Sequence, residues 1–392
     1  MTTPRPEAAH RGKEESDYLT RVCRSMGEID AAEWEALRAG DDQPFLSHAW
    51  LSLLEQTGCV AADTGWQPFH LTMRRAGRLV AATPLYVKGH SYGEYVFDWA
   101  WADAYRRHGL EYFPKLLSAI PFTPVPGARL LATDDEARSA LARALIALAR
   151  QSKMSSLHVL FPGSEEASLL EQAGAMLRRG VQFHWRNEGW RDFDAFLSSL
   201  EQPKRKKIRA ERRKVAEAGV SFRRLDGHEI SEADWVFFGH CYATTYAEHH
   251  STPYLSQEFF LRLGATMPDS VLMVLALRDN RPIAASLLMR DRKRLYGRYW
   301  GAVETVPCLH FETCYYQAIE AAIERGIEVI EGGAQGEHKM ARGFLPVQTV
   351  SAHWLAEPAF SDAVQRFLER EGDAMGGYLN ELGERTPFKT SA

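Results

Sequence analysis

The sequence predicts an α/β protein in which a mixed sheet flanked by helices occurs twice. Two observations carry this reading. The segments Arg75-Ala-Gly-Arg-Leu-Val-Ala-Ala-Thr83 and Arg278-Asp-Asn-Arg-Pro-Ile-Ala-Ala-Ser286 align at an offset of 203 residues. Each lies between apolar runs, the pattern of a β-hairpin. The patterns around the two hairpins also agree: two helical stretches come before, and a strand, a helix and a strand come after. Such self-similarity is the mark of a duplicated unit. A chain of 392 residues, 45% of them hydrophobic, is long enough to bury two cores.

The elements follow in order. Residues 1–20 are polar and are expected as a disordered tail. An N-terminal domain is expected over 21–190. In it, Asp30 caps a helix through Ala31–Arg38, and Ser47 caps another through Trp50, Leu53 and Leu54. Phe69–Arg74 and Leu79–Tyr86 form the first hairpin. Residues 191–219 read as a helical connector. Phe193, Phe196, Leu197 and Leu200 mark one face, and Lys204–Lys214 then holds eight basic residues against one acidic residue, Glu211.

The C-terminal domain is expected over 220–392. It opens with a strand at Ser221–Leu225, helices at Glu232–Tyr246 and Gln257–Leu263, and a hairpin of Val271–Leu277 with Pro282–Met289. A strand at Arg294–Val303 is followed by a helix at His310–Arg325. There Phe311, Cys314, Tyr315, Ala318, Ile319, Ala322 and Ile323 recur at three and four residues. Gly326 ends that helix. Ile327–Ile330 and Thr349–Leu355 are strands, and residues 360–383 form a closing helix.

Composition removes several classes of function. Forty-seven basic and fifty-one acidic side chains leave a net charge of −4, so any affinity for nucleic acid must be local. Five cysteines without a C-x-x-C pair argue against a disulfide framework. The first residues lack the apolar stretch of a secretory signal, and no apolar run reaches the roughly 18 residues of a membrane span. A cytoplasmic protein is the expectation. Pro307-Cys-Leu-His-Phe-Glu-Thr-Cys314 contains H-x-E and two cysteines, but their C-x5-C spacing is wrong for a zinc deaminase, and no metal site is expected.

Short motifs give the duplicated unit a likeness. They are Asp98-Trp-Ala-Trp101, Pro121-Phe-Thr-Pro124, Phe183-His-Trp-Arg-Asn187, Pro253-Tyr-Leu255, Leu295-Tyr-Gly-Arg-Tyr-Trp-Gly301, Leu309-His-Phe-Glu312, Gly333-Ala-Gln-Gly-Glu-His-Lys339 and Arg342-Gly-Phe-Leu-Pro346. The second unit resembles the GNAT acyltransferase fold. The pair, with a basic helix opening the second copy, resembles the Fem-like proteins of peptidoglycan biosynthesis or recognition, over roughly residues 40–385. This resemblance implies tandem GNAT-like domains and an N-acyltransferase or aminoacyltransferase that forms an amide on a small-molecule or peptide amine. The co-substrate would be acyl-CoA or aminoacyl-tRNA, with nothing bound permanently. The alternative is a non-catalytic module that binds tRNA or a cell-wall precursor.

Amide formation requires a base for the acceptor ammonium, donors for the oxyanion, and positioning. The loop Glu331–Phe344 follows a buried strand and is dense in such groups. Glu337 or His338 is the expected base. Lys339 and Arg342 suit an oxyanion or a phosphate, and the Fem ligases carry a lysine at the place of Lys339. Glu331 and Gln335 are expected at the substrate, as are Tyr296 and Arg298, which strand alternation would set on one face with Trp300. His310 and Glu312, at a helix start, together with Tyr254 and Trp185, complete the expected cleft. Ala302–His310 lacks the glycines of a GNAT pyrophosphate loop, which weakens the case for CoA. Lys204, Arg205, Lys206, Lys207, Arg209, Arg212, Arg213 and Lys214 offer a surface for phosphate or tRNA.

Overall fold

The computed structural model describes residues 18–38, 40–333 and 336–389. The strands of the first half are β1 (Leu19–Cys23), β2 (Trp66–Pro68), β3 (His70–Arg75), β4 (Arg78–Thr83), β5 (Tyr86–Lys88), β6 (Lys115–Ser118), β7 (Leu131–Ala132), β8 (Ser156–Leu160) and β9 (Met176–Arg186). Those of the second are β10 (Val220–Asp226), β11 (Val271–Arg278), β12 (Arg281–Arg290), β13 (Arg294–Ala302), β14 (Val329–Glu331) and β15 (Leu345–Leu355). Of the expected tail, residues 1–17 lie outside the described residues. Leu19 and Thr20, however, pair with Arg74 and Met73 as part of β1.

Both hairpins form as the turn residues predict. Ala76, Asp279 and Asn280 adopt the positive φ that these tight turns demand. The strands that follow are arranged differently from two separate sheets. β1, β3, β4 and β7 make a small four-stranded sheet, while one eleven-stranded sheet runs through both halves in the order β10-β11-β12-β13-β14-β9-β15-β8-β6-β5-β2. The halves exchange their last strands. β9 of the first half pairs with β14, and β15 of the second pairs with β8. β9 and β15 meet antiparallel in an unbroken register from Leu345 opposite His184 to His353 opposite Met176. The order is therefore nearly palindromic about this central pair. Parallel β13 and β14 on one side correspond to parallel β6 and β8 on the other. Sequence periodicity could not reveal the exchange, because it fixes which residues are strands and not which strands meet.

Helices cover both faces. Buried residues of the 48–56, 232–248 and 257–266 helices join Tyr296 and Tyr299 in a core shared by the two halves. On the other face, the 317–325 helix packs with Trp185, Phe196, Ile208 and Phe344. Helix 202–217 buries Ile208, Glu211 and Val215 at a spacing of three and four residues and turns most of its basic residues outward, Arg212 excepted. Gly301 lets β13 approach helix 232–248, since a Cβ there would stand 2.0 Å from the Cys241 carbonyl oxygen.

This contact generates a stability prediction. Gly301→Ala must push β13 away from that helix. It is expected to cost about 1–3 kcal/mol, typical of an overpacked core, and urea unfolding followed by intrinsic fluorescence measures it.

Candidate active site

The central feature is a place where two parallel strands part. β13 pairs with β14 only at Arg294–Val329, Leu295–Ile330 and Tyr296–Glu331. β14 then ends, while β13 continues to Ala302. A β-bulge occurs at the same point. Leu288 faces Gly297 and Leu287 faces Tyr299, so Arg298 is the extra residue. The bulge breaks the alternation read from the sequence. Tyr296 and Tyr299 share the core between the halves, whereas Trp300 packs on the opposite side with Ile283 and Leu309. Residues 296, 298 and 300 thus do not form one face.

The opening holds a cavity of about 110 Å³. It is lined on the strand side by Ser286, Gly297, Arg298 and Trp300, and on the helix side by His310, Cys314 and Tyr315, with Gly332 and Phe344 beyond. Trp300 and His310 also line an outer cleft of about 530 Å³ that includes Thr245, Glu248 and Val303–Val306. Their rings meet edge to face at 5.3 Å, between the two spaces. The wall near Tyr315 is a π-helical turn, Glu312–Tyr316, between α-helical segments at Leu309–Phe311 and Gln317–Arg325. Such turns recur at functional sites. Sequence periodicity had merged it into one uniform helix and classed Tyr315 and Cys314 as core stripe.

The loop after β14 bends back over the cavity. Glu337–Arg342 is a short 3-10 turn held between Gly336 and Gly343. Gly343 has φ +87, and its missing side chain makes room for Phe196 and Trp185. Lys339 is 4% exposed, and its ammonium donates to the carbonyls of Gly332 at 2.6 Å and Gly333 at 3.4 Å. Burial pushes its pKa down to about 8. His338 is exposed, and its Nε2 stands 3.3 Å from the Tyr315 hydroxyl. Partial burial, followed by the charges of Lys339, Arg342 and Lys207, lowers its pKa. His310 is pushed down to about 4, first by burial and then by His338, Arg342 and Lys339. At neutral pH its ring is therefore uncharged.

Other expected residues stand elsewhere. Glu337 is exposed and faces the closing helix, where it accepts from the Tyr378 hydroxyl and lies 3.8 Å from Arg385. Glu312 is buried against Arg212 and Gln317. Arg342 is fixed to Glu211 and lies over the Phe311 ring. The Tyr296 hydroxyl donates to Asp291 at 2.6 Å. Arg298 lines the cavity and also reaches back to the Phe122 carbonyl of the first half. Trp185 is wholly buried beside Trp190 and Phe196, a core residue and not a cleft wall. Tyr254 stacks on Phe122 at 4.8 Å and lines a separate groove of about 510 Å³ with Trp66, His90 and His250. Gln335 lies outside the described residues.

Glu331 sits at the parting point with its side chain buried on the first-half side. One oxygen accepts from Arg294 at 2.7 Å, and the other has no hydrogen-bond partner among the described residues. Burial raises its pKa to about 7 against the opposing pull of Arg294. Of the eight basic residues on the connector helix, Arg212 is committed to Glu312 and Glu320. Arg205 donates to the carbonyls of Ser198 and Leu200, and Arg209 and Arg213 make long exposed pairs with Asp194 and Glu217. Lys204, Lys206, Lys207 and Lys214 make no ion pair among the described residues. Among the described residues no group of three His, Cys, Asp or Glu is placed to hold a metal ion, and no helix is long and apolar enough to cross a membrane.

The buried Lys339 sets a pH dependence. Its folded pKa lies below the unfolded value, so between pH 8 and 10.5 the unfolded chain binds more protons, and stability rises with pH across that window. Lys339→Met removes this rise. The wild type should gain up to about 3 kcal/mol relative to the variant between pH 7.5 and 10.5. Paired denaturant titrations at the two pH values check it.

Comparison with known proteins agrees with this architecture. The C-terminal domain of a protein described as a lysylphosphatidylglycerol synthetase from Agrobacterium fabrum superposes with a TM-score of 0.55 at 12% identity, covering 88% of this chain and 97% of that one. FemX superposes with a TM-score of 0.53 at 12% identity, covering 86% and 98%. A conserved protein of unknown function from Bacteroides thetaiotaomicron gives 0.50 at 11%, covering 86% and 99%. At these identities the likeness is one of fold, a large mixed sheet flanked by helices as the sequence predicts. A search of curated proteins finds no match. The sequence profile of the FemAB-like family, described as peptidoglycan biosynthesis/recognition, matches residues 25–390. With that span matched, the chain belongs to the FemAB-like family.

Proposed function

We propose that this chain is an N-acyltransferase or aminoacyltransferase, with transfer centred where β13 and β14 part. The observation that supports it most directly is that two residues lining one small cavity at a strand opening are each bonded to a titratable group of the turn beside it: Gly332 to the buried ammonium of Lys339, and Tyr315 to His338. An extended donor can lie against the free edge of β13, because from Gly297 onward that edge has no strand partner on the β14 side. Backbone N–H groups there suit the oxyanion of a tetrahedral intermediate. The acceptor arrives as an ammonium and must lose one proton before its nitrogen attacks the acyl carbonyl. Tyr315 receives that proton as it passes its own to His338 and so to solvent. After attack the nitrogen is again cationic; as the intermediate collapses it gives up its second proton, and the expelled thiolate or ribose hydroxylate takes that proton up, so one proton is released to solvent per amide formed. Lys339, close to neutrality in its pKa, both holds the Gly332 carbonyl and supplies positive charge beside the developing anion.

The donor is an acyl-CoA or an aminoacyl-tRNA, and the acceptor a small-molecule or peptide amine of the kind found in cell-wall precursors. The FemAB-like membership supports the second member of each pair. The cytoplasm is the compartment in which both donors are available.

The experiment is a mass-spectrometric transfer screen of CoA thioesters and charged tRNAs against peptide amines. Lys339→Ala and Tyr315→Phe should each lower kcat about 10²–10³-fold, the scale of a lost oxyanion or proton-transfer group. Glu337→Gln should leave it within about twofold, because that carboxylate faces the closing helix. Binding of a precursor or tRNA with no product under any donor would replace this reading with a recognition module. Full activity of both the Lys339 and the Tyr315 variant would remove the assignment of the site.

A further inference from the structure

The basic helix and the turn that carries His338 and Lys339 are joined by a buried ion pair. Glu211 is the one acidic residue in the run 204–214, and its side chain is buried. Its two oxygens accept from Nη2 of Arg342, each at 2.9 Å, and it also accepts from the Tyr316 hydroxyl. The same guanidinium donates from Nε to that hydroxyl at 3.1 Å and from Nη1 to the His338 carbonyl at 2.7 Å. It lies 3.5 Å above the Phe311 ring. One residue further along the helix, Arg212 clasps Glu312 at the start of the π-helical turn. One face of the helix is therefore wired to the π-helical turn and to the 337–342 turn, while the opposite face presents Lys206, Arg209 and Arg213 to solvent.

A buried ion pair is a poor way to obtain stability alone, since apolar residues of similar volume commonly serve as well or better. Its retention is better matched to a geometric task. The turn has glycine at both ends, positions 336 and 343, and bonds to itself through only a few backbone contacts such as Lys339 N–H to the Gly336 carbonyl. The Arg342 guanidinium, through the His338 carbonyl, ties the backbone of the turn to the basic helix, while the side chains of Glu337, His338 and Lys339 reach the closing helix, Tyr315 and Gly332.

We propose that Glu211 and Arg342 are positioning residues that couple phosphate occupancy of the basic helix to the placement of His338 and Lys339 at the cavity. This rests on the transferase reading above. A donor whose phosphates settle on the outer face of the helix draws on an element whose inner face fixes the catalytic turn, so donor binding and turn geometry stabilise one another. The chemistry required of the donor is a phosphate-bearing one, and CoA and an RNA acceptor stem are its two sources.

The test uses the full chain and reads amide hydrogen exchange over residues 337–343, with and without a short RNA acceptor-stem duplex in one arm and CoA in the other. In the wild type one of the two probes should slow exchange at least tenfold, and which one does so identifies the donor. In Glu211→Gln the same probe should bind without that protection. In the transfer assay Glu211→Gln should lower kcat at least tenfold with donor KM within twofold, and Arg342→Lys should recover part of it. The paired variant Glu211→Leu with Arg342→Met keeps an apolar contact in place of the charges. It should fold, yet remain as slow as Glu211→Gln. The pH profile supplies a readout that packing alone would not move. His338 is faced by Lys339 and Arg342 from its own turn, by Lys207 from the basic helix, and by Tyr315 and His310 from the helix opposite. Arg342→Gln removes one of these positive charges and should move the acid limb to higher pH.

Equal protection in Glu211→Gln and wild type, no protection by either probe in the wild type, or full activity of the apolar pair would each overturn the coupling. A wild type that shows the protection but transfers no acyl group from any donor would leave the coupling standing and remove the transferase reading instead.

Discussion

β9 and β15 run antiparallel through the middle of the large sheet, each contributed by the opposite half of the chain, and the remaining architecture is arranged around them. Because each half lends its last strand to the other, neither hydrophobic core closes without its neighbour. Trp185 of β9 packs against Phe196 and helix 317–325, and Ala352 and Trp354 of β15 pack among the helices of the first half. The seam carries polar detail as well. His158 of β8 and His353 of β15 face each other with their Nδ1 atoms 2.7 Å apart, and each accepts or donates at Nε2 to a serine two residues earlier on its own strand. Such buried imidazoles are costly unless each nitrogen is matched. Their matching fixes the register of strands that meet from distant parts of the sequence.

The strand exchange also accounts for the location of the cavity. With β9 filling the far side of β14, that strand is free to end at Glu331, and the chain leaves the sheet there to form the turn over the opening. The bulge at Arg298 bends β13 away at the same level. Two local irregularities and one topological one coincide, and the charged groups collect at their junction: Lys339 and His338 on one side of the sheet, Glu331 and Arg298 on the other.

Much of the fold was legible in the sequence, and the reasons differ by element. The hairpins were readable because tight turns dictate their residues, and the caps at Asp30, Ser47 and Gly326 because orphan backbone groups do. The loop holding His338, Lys339 and Arg342 was visible as a concentration of capable side chains among glycines. The roles within it were not. Glu337 turns to Tyr378, and Arg342 turns inward to Glu211, because a six-residue 3-10 turn distributes its side chains around an axis that sequence spacing does not reveal. Tyr315 was hidden for the opposite reason: it fits an apolar helical stripe, and only the π-helical turn brings its hydroxyl to the cavity. Trp185 carried a motif and proved to be packing, as aromatic residues in strands commonly are.

The placement of β15 has a consequence for how this protein is made. Strands β8 and β9 leave the ribosome early, yet the slot between them is filled by residues 345–355, synthesised some 160 residues later. During that interval the nascent first half displays two unpaired strand edges in an apolar setting, an arrangement open to mispairing with other chains. Synthesis of the full chain, and not of either half, is the step that seals it.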